Sequence, residues 1–190
     1  MSRLKLRPVS EEDAPLYHRW RTDWEVMQHT SMTTAVPTYS ETVQFVQEVL
    51  IGQKAAESWM LELSTGRTIG IASLIQIDVE NQSAECILDI GEKNCWGQGF
   101  GQEAMRLLLY RAFEDLTLHR VQLRVFADNV RAVGLYNKMG FLEEGRMQEA
   151  LLRNGRRHDI LLMRLLRPEW EKIAFFQSEA PGSVDSSPED

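Results

Sequence analysis

The stretch NCWGQGFGQEAM, Asn94 to Met105, sets the strictest condition on what this chain can become. Gly97, Gly99 and Gly101 alternate with bulkier residues, and a helix-forming run follows at once. Glycine lacks the Cβ that bars close approach to a backbone, and it takes positive φ freely. A helix start adds N–H groups without intrahelical partners and a partial positive charge. Bare backbone at a helix N-terminus is therefore a seat for an anion such as a pyrophosphate. The plain alternative is a tight strand-to-helix connection with no ligand.

Two phosphate loops are excluded. The dinucleotide fingerprint G-x-G-x-x-G would need glycine where Gln102 stands, and it belongs to a first strand–helix turn. Here three strand-like runs precede the loop. A P-loop needs G-K-[ST], which is missing.

Hydrophobic spacing orders the rest. Leu4 and Leu6 alternate as in a first strand. Ser10 and Asp13 form an S-x-x-D cap signature, and APLYHRWRTDWEVM has helical spacing up to a break at Pro37. Ser40 is the expected cap of ETVQFVQEVL, with Val43, Val46 and Leu50 on one face. Three strands are expected next: SWMLELS, then TIGIASLIQIDV after Thr65-Gly66, then SAECILDIG after ENQ. Behind the glycines, Met105, Leu108, Leu109, Ala112 and Leu116 share a helical face. Val121, Leu123 and Val125 alternate in a further strand. Asn129 caps VRAVGLYNKM, which ends at Gly140. Asn154-Gly155 turns a final hairpin. The order is β, helices, β-β-β, α, β, α, β-β, an α/β mixed sheet of about seven strands flanked by helices.

Composition narrows the function classes. Net charge is −7, of which the residues from Gln177 onward carry −4. A body at −3 argues against generic nucleic-acid binding and favours small cationic partners. No apolar run approaches the ~20 residues of a membrane span. MSRLKLRPVS is too polar for a signal peptide. Cys86 and Cys95 form neither a disulfide framework nor a CxxC pair, so a cytoplasmic protein is expected. Four scattered histidines give no metal-ligand spacing, and no metal is expected. The expected organisation is one domain over residues 1–170 and a polar, acidic tail without ordered structure over residues 171–190.

With both the loop and the downstream helix in view, the chain resembles the GCN5-related N-acetyltransferases (GNAT). Their acetyl-CoA motif, [RQ]-x-x-G-x-[GA], is matched by W96-G97-Q98-G99-F100-G101. Trp96 departs from Arg or Gln, as in the branch of ribosomal-protein N-terminal acetyltransferases and spermidine acetyltransferases. A second match is N129-V-R-A-V-G-L-Y136-N-K-M-G140-F141. The resemblance runs from about Leu4 to Trp170.

The resemblance implies acetyl-CoA as co-substrate and a sheet splayed between its fourth and fifth strands. Pantetheine would lie in that gap against Leu88, Asp89 and Ile90. The pyrophosphate would sit on the loop of Trp96, Gly97, Gln98, Gly99, Phe100, Gly101 and Gln102. Glu103 should point away from it, since like charges repel. Asn129 and Tyr136, two helical turns apart, would both face the cofactor. Tyr136 matches the tyrosine that serves the leaving sulfur. With phenol at pKa ~10 and thiol at ~8.5, full proton transfer costs about 2 kcal/mol in water, so a hydrogen bond to the developing thiolate is the expected role. Its alternative is a core tyrosine.

Glu85 is the expected base, with a surface salt bridge as its alternative. Asp89, four residues on and on the same strand face, ranks second. Gly134 stands where the family often has a larger residue, through packing or through cofactor approach. His158 reads as a strand histidine, with acceptor-site lining as the alternative.

The expected reaction is direct acetyl transfer to a primary amine in a ternary complex. One glutamate base is enough for an α-amine of pKa ~8 but little help for an amine near ~10.4. A peptide or protein N-terminus is therefore the expected acceptor, ahead of a polyamine or another small amine. A CoA-binding sensor without turnover is the rival from another class. A homodimer is left open.

Overall fold

One parallel junction in an otherwise antiparallel sheet organises the molecule. The computed structural model describes residues 3–28, 30, 33 and 35–178. The order is β1 (Leu4–Pro8), α1 (Ala14–Thr22), α2 (Trp24–Met27), α3 (Tyr39–Phe45), β2 (Glu57–Leu63), β3 (Thr68–Asp78), β4 (Ser83–Ile90), α4 (Phe100–Tyr110), β5 (Arg120–Phe126), α5 (Val130–Lys138), β6 (Leu142–Arg153), β7 (Arg156–Leu166) and α6 (Arg167–Ser178). The seven strands lie in the order β1-β2-β3-β4-β5-β7-β6. Only β4 and β5 run parallel, joined through α4. A parallel pair needs such a crossover, because a tight turn cannot reverse the chain twice. The mixed sheet read from the sequence is the sheet that forms.

The parallel pair is short. Ser83, Ala84 and Glu85 face Arg120, Val121 and Gln122, and there the ladder stops. β4 runs on to Ile90 and β5 to Phe126 without pairing to each other. The sheet opens between its fourth and fifth strands, as expected.

The helices cover both faces. α4 buries Ala104, Met105, Leu108 and Leu109 against Leu74, Cys86, Val121 and Leu123. A helix with one apolar stripe is stable only against such a partner. Replacing fully buried Leu108 by Ala would cost roughly 2–5 kcal/mol. On the other face, Tyr17, Trp20 and Val26 pack with Val46, Met60 and Ile71. Gly91 makes this packing possible: a Cβ there would stand 2.1 Å from the Trp20 ring. Trp20 Nε1–H donates to Glu92 at 2.9 Å, fixing α1 over the end of β4.

Several boundaries differ from the expected ones. The run Ala14–Met27 breaks at Asp23, whose extended backbone ends α1 and whose carboxylate caps α2 by accepting from the Glu25 N–H. The second helical region starts at Thr38 rather than Ser40. Thr38 and Glu41 exchange capping bonds, Thr38 N–H to Glu41 at 2.7 Å and Glu41 N–H to Thr38 at 3.3 Å. T-x-x-E is the reciprocal cap, which Ser40 has no acid to complete. α6 extends to Ser178, past the boundary expected at residue 170. The rest of the expected tail lies outside the described residues.

Candidate active site

Where the sheet opens, a cleft of about 810 Å³ runs from α2 past the ends of β4 to α5. The glycine loop forms one wall. Gly97 and Gly99 have φ of +75° and +83°, values L side chains rarely adopt. A Cβ at Gly97 would meet nothing within 4 Å, and one at Gly99 only Arg3, at 3.5 Å. Backbone curvature, not crowding by the protein, requires these glycines, and their open side faces the cleft. The N–H groups from Gly97 to Gly101 meet no acceptor among the described residues. The chain turns into α4 with Gly99 accepting from Gln102 and Glu103. Such a cradle fits a pyrophosphate.

Three contacts hold the cradle in shape. Trp96 Nε1–H donates to the Ile90 carbonyl at 2.7 Å, tying the loop to the last residue of β4. Arg3 stacks over Phe100 at 4.4 Å and donates to the Gln98 carbonyl at 3.3 Å. Glu103 turns away from the cleft and accepts from Arg3 and from the Leu4 N–H. The acid nearest the cradle is thereby paired with Arg3, which stands just before β1.

The far wall is α5. Asn129 accepts from the Ala132 N–H at 3.1 Å and caps the helix. Asn129 and Tyr136 both line the cleft, together with Leu88, Asp89 and Ile90 of β4. Tyr136 is 9% exposed and packs edge-on against Phe141. Its hydroxyl makes no hydrogen bond among the described residues. Burial, with Cys86 and Asp89 adding to it, raises the phenol well above its ordinary value. Tyr136 therefore stays protonated and keeps a proton to donate. Full proton loss to a thiolate would be costlier here than in water.

The two carboxylates of β4 part company. Glu85 does not line the cleft. It pairs with Arg124 at 2.9 Å, in a separate small cavity with Arg120, Gln122 and Glu144. This corrects the expectation that Glu85 is the carboxylate at the site. At Glu85 the parallel ladder still holds, so β5 brings Arg124 against it. Asp89 lies beyond the end of that ladder and reaches the cleft. Its carboxylate makes no hydrogen bond or ion pair among the described residues. Burial pushes it up to about 6, with Arg21 opposing. Tyr17 stands close by on α1, its own phenol raised by burial to about 12.

Sequence reading missed several lining residues. Glu25, Val26, Gln28 and Thr30 close one end of the cleft. The helical spacing of Glu25 and Val26 does not say where their helix lies; the packing of Trp20 on Gly91 and the Lys93–Glu25 pair at 2.9 Å bring it there. Asp128 lines the cleft beside Asn129, and His158 Nδ1 bonds it at 2.7 Å. His158 is thus a brace for a lining acid rather than a lining residue. Arg131 lies over the Trp96 ring at 5.4 Å.

An open seven-stranded sheet, a glycine cradle at a helix start and a buried tyrosine across the gap define an acetyl-CoA-dependent N-acetyltransferase. The chain belongs to the GNAT acetyltransferases: residues 3–142 match the family model described as an acetyltransferase (GNAT) domain. It is 30% identical over 170 residues to an uncharacterized N-acetyltransferase, p20, of Bacillus licheniformis, covering 88% of this chain and 95% of that protein. It is 28% identical over 169 residues to the spermidine N(1)-acetyltransferase of Vibrio cholerae, covering 89% and 96%. The crystal structure of spermidine N-acetyltransferase from Vibrio cholerae with CoA and spermine superposes with a TM-score of 0.84 at 27% identity, covering 90% of this chain and 99% of that one. No helix among the described residues is long and apolar enough to cross a membrane.

Proposed function

We propose that the acceptor is a small polyamine of the spermidine type and that Asp89 serves as the base. This replaces the peptide N-terminus favoured by sequence reasoning. That reasoning turned on a single glutamate, and Glu85 is committed to Arg124. The observation that carries the new reading is Asp89, a half-buried carboxylate without a hydrogen-bond or ion-pair partner among the described residues, in the cleft. An α-amine of pKa ~8 is already partly neutral at pH 7 and has little need of it, whereas an amine near ~10.4 does. The second support is the likeness to a spermidine acetyltransferase along nearly its whole length. Asp128, held by His158, adds a further carboxylate for a cation with more than one charge.

In this mechanism the ammonium group enters beside Asp89, where loss of water lowers its pKa and its first proton leaves to solvent. The neutral amine attacks the thioester carbon directly. As the C–N bond forms, the nitrogen becomes acidic and its proton passes to Asp89. Tyr136 donates a hydrogen bond to sulfur as the C–S bond breaks. Acetyl-CoA supplies the acyl group, and the loop amides hold its pyrophosphate. Both cysteines are free thiols, in keeping with a cytoplasmic enzyme.

The test is acetyl transfer to spermidine and to peptides with free N-termini, followed from pH 6 to 10. We expect spermidine to be preferred and its kcat/KM to go on rising past pH 9. A preference for peptides, with a plateau just above pH 8, would overturn the polyamine assignment while leaving N-acetyl transfer intact.

A further inference from the structure

We propose that Arg21 is a positioning residue for proton transfer, held on α1 so that its guanidinium stands near Asp89 without pairing with it. The inference rests on Asp89 as the base and adds the group that governs it. α1 packs over this part of the sheet. Tyr17 packs with Ile71, and Ile71 is the residue opposite Asp89 in the β3–β4 ladder. Opposite residues of a ladder share a face, with Cβ atoms about 5 Å apart. Trp20 lies against Gly91, two residues beyond Asp89. Arg21 follows Tyr17 by one helical turn, on the same stripe, and its guanidinium lies 6.0 Å from the Tyr17 ring.

Arg3, Arg7 and Arg19 each pair with a carboxylate, on Glu103, Asp13 and Glu92. Arg21 is half-buried and makes no hydrogen bond or ion pair among the described residues. A small pocket of about 50 Å³ that it lines holds a second cation, Arg153, and no acid among the described residues. Distance decides what the charge of Arg21 does. At Glu85, Arg124 stands at 2.9 Å and locks the carboxylate in a pair. At Asp89 the cation stays beyond pairing distance. The carboxylate keeps its lone pairs for a proton, while a positive field still opposes its burial. The other groups around Asp89 leave this task to Arg21. Tyr17 and Tyr136 are phenols that burial keeps neutral. Of the charged groups that line the cleft, Glu25 pairs with Lys93 at 2.9 Å, Asp128 bonds His158 at 2.7 Å and Arg131 lies over Trp96. Lys138 stands in the last turn of α5.

Carbon-13 NMR titration of the Asp89 carboxyl, assigned through Asp89→Asn, tests this without an acceptor. The wild-type midpoint should lie at about 6. Arg21→Gln should move it up by roughly 0.5–1 pH unit, the size expected of one partly screened charge. Arg21→Lys, which keeps the charge, should hold it in place. In acetyl transfer to spermidine, the acid limb of kcat/KM should shift by the same amount in Arg21→Gln. The rate at about pH 6 then falls roughly two- to fivefold, while the rate above about pH 8 and the KM for acetyl-CoA stay near wild type. A midpoint that stays put in Arg21→Gln overturns the proposal. So does an Arg21→Lys variant that shifts as far as Arg21→Gln, or a loss of rate equal at every pH, which marks a structural role. If Asp89→Asn keeps the acid limb and full activity, the base assignment falls and this proposal with it. A limb lost in Asp89→Asn but unmoved in Arg21→Gln removes Arg21 alone.

Discussion

The indole N–H of Trp96 donates to the carbonyl of Ile90 at 2.7 Å, joining the anion loop to the end of β4. Through this bond one residue fixes the loop, the edge of the gap and the resting place of Arg131. Trp96→Phe keeps an aromatic ring but deletes the donor, leaving the Ile90 carbonyl to water. CoA affinity should fall roughly three- to tenfold, in line with loss of one hydrogen bond. Calorimetry checks this. Unchanged affinity would mean that the loop holds its shape without the bond.

Gly99 has φ of +83°, and its open side faces the cleft. Gly99→Val places a Cβ between the loop amides and a phosphate and forces a strained backbone, at about 1–2 kcal/mol. CoA binding should be lost while the circular dichroism of the folded chain is retained. A variant that binds CoA with wild-type affinity would remove the pyrophosphate from this loop.

In the proposed mechanism Tyr136 donates to sulfur only as the thioester bond breaks, so its hydroxyl would act mainly in the transition state. Tyr136→Phe should lower kcat by roughly 10²-fold or more, with little change in the KM for acetyl-CoA. Removing the hydroxyl leaves the contact with Phe141 in place, so stability should change little. A wild-type kcat in steady-state kinetics would return Tyr136 to a packing role.

Asp89 and Glu85 can be told apart by pH. The Asp89 carboxyl is raised to about 6, and a base must be deprotonated, so kcat/KM should fall as pH drops through about 6. Asp89→Asn should abolish most activity together with this limb, while Glu85→Gln keeps both. The same shift affects stability with a definite sign. Between about pH 4 and 6 the folded state binds more protons at Asp89 than the unfolded state does, so stability declines as pH rises through that window. Asp89→Asn should therefore raise the melting temperature at pH 7, by up to roughly 3 kcal/mol of stability, and the gain should vanish below about pH 4. An acid limb that stays in Asp89→Asn and disappears in Glu85→Gln would reverse the assignment.

The location of the gap followed from the family resemblance; the element order and both motifs were legible in the residues themselves. These depend on local spacing: alternation in the strands, an apolar stripe on α4, Asn129 as a cap and the glycines at Gly97 and Gly99. Neighbouring residues dictate such features through backbone geometry alone. What tertiary structure decided was which carboxylate lines the cleft. Period-two alternation puts Glu85 and Asp89 on one strand face and cannot separate them. The separation comes from the end of the β4–β5 ladder at Glu85 and Gln122. Before that point β5 supplies Arg124 to neutralise the acid; beyond it β5 has parted from β4 and the acid is left half-buried at the cleft. The same holds for Arg131 on Trp96 and for Glu25 at the cleft end, which meet the site across gaps of more than thirty residues in the chain. Contacts of that range are set by how the sheet stacks its helices, and no local pattern in the sequence records them.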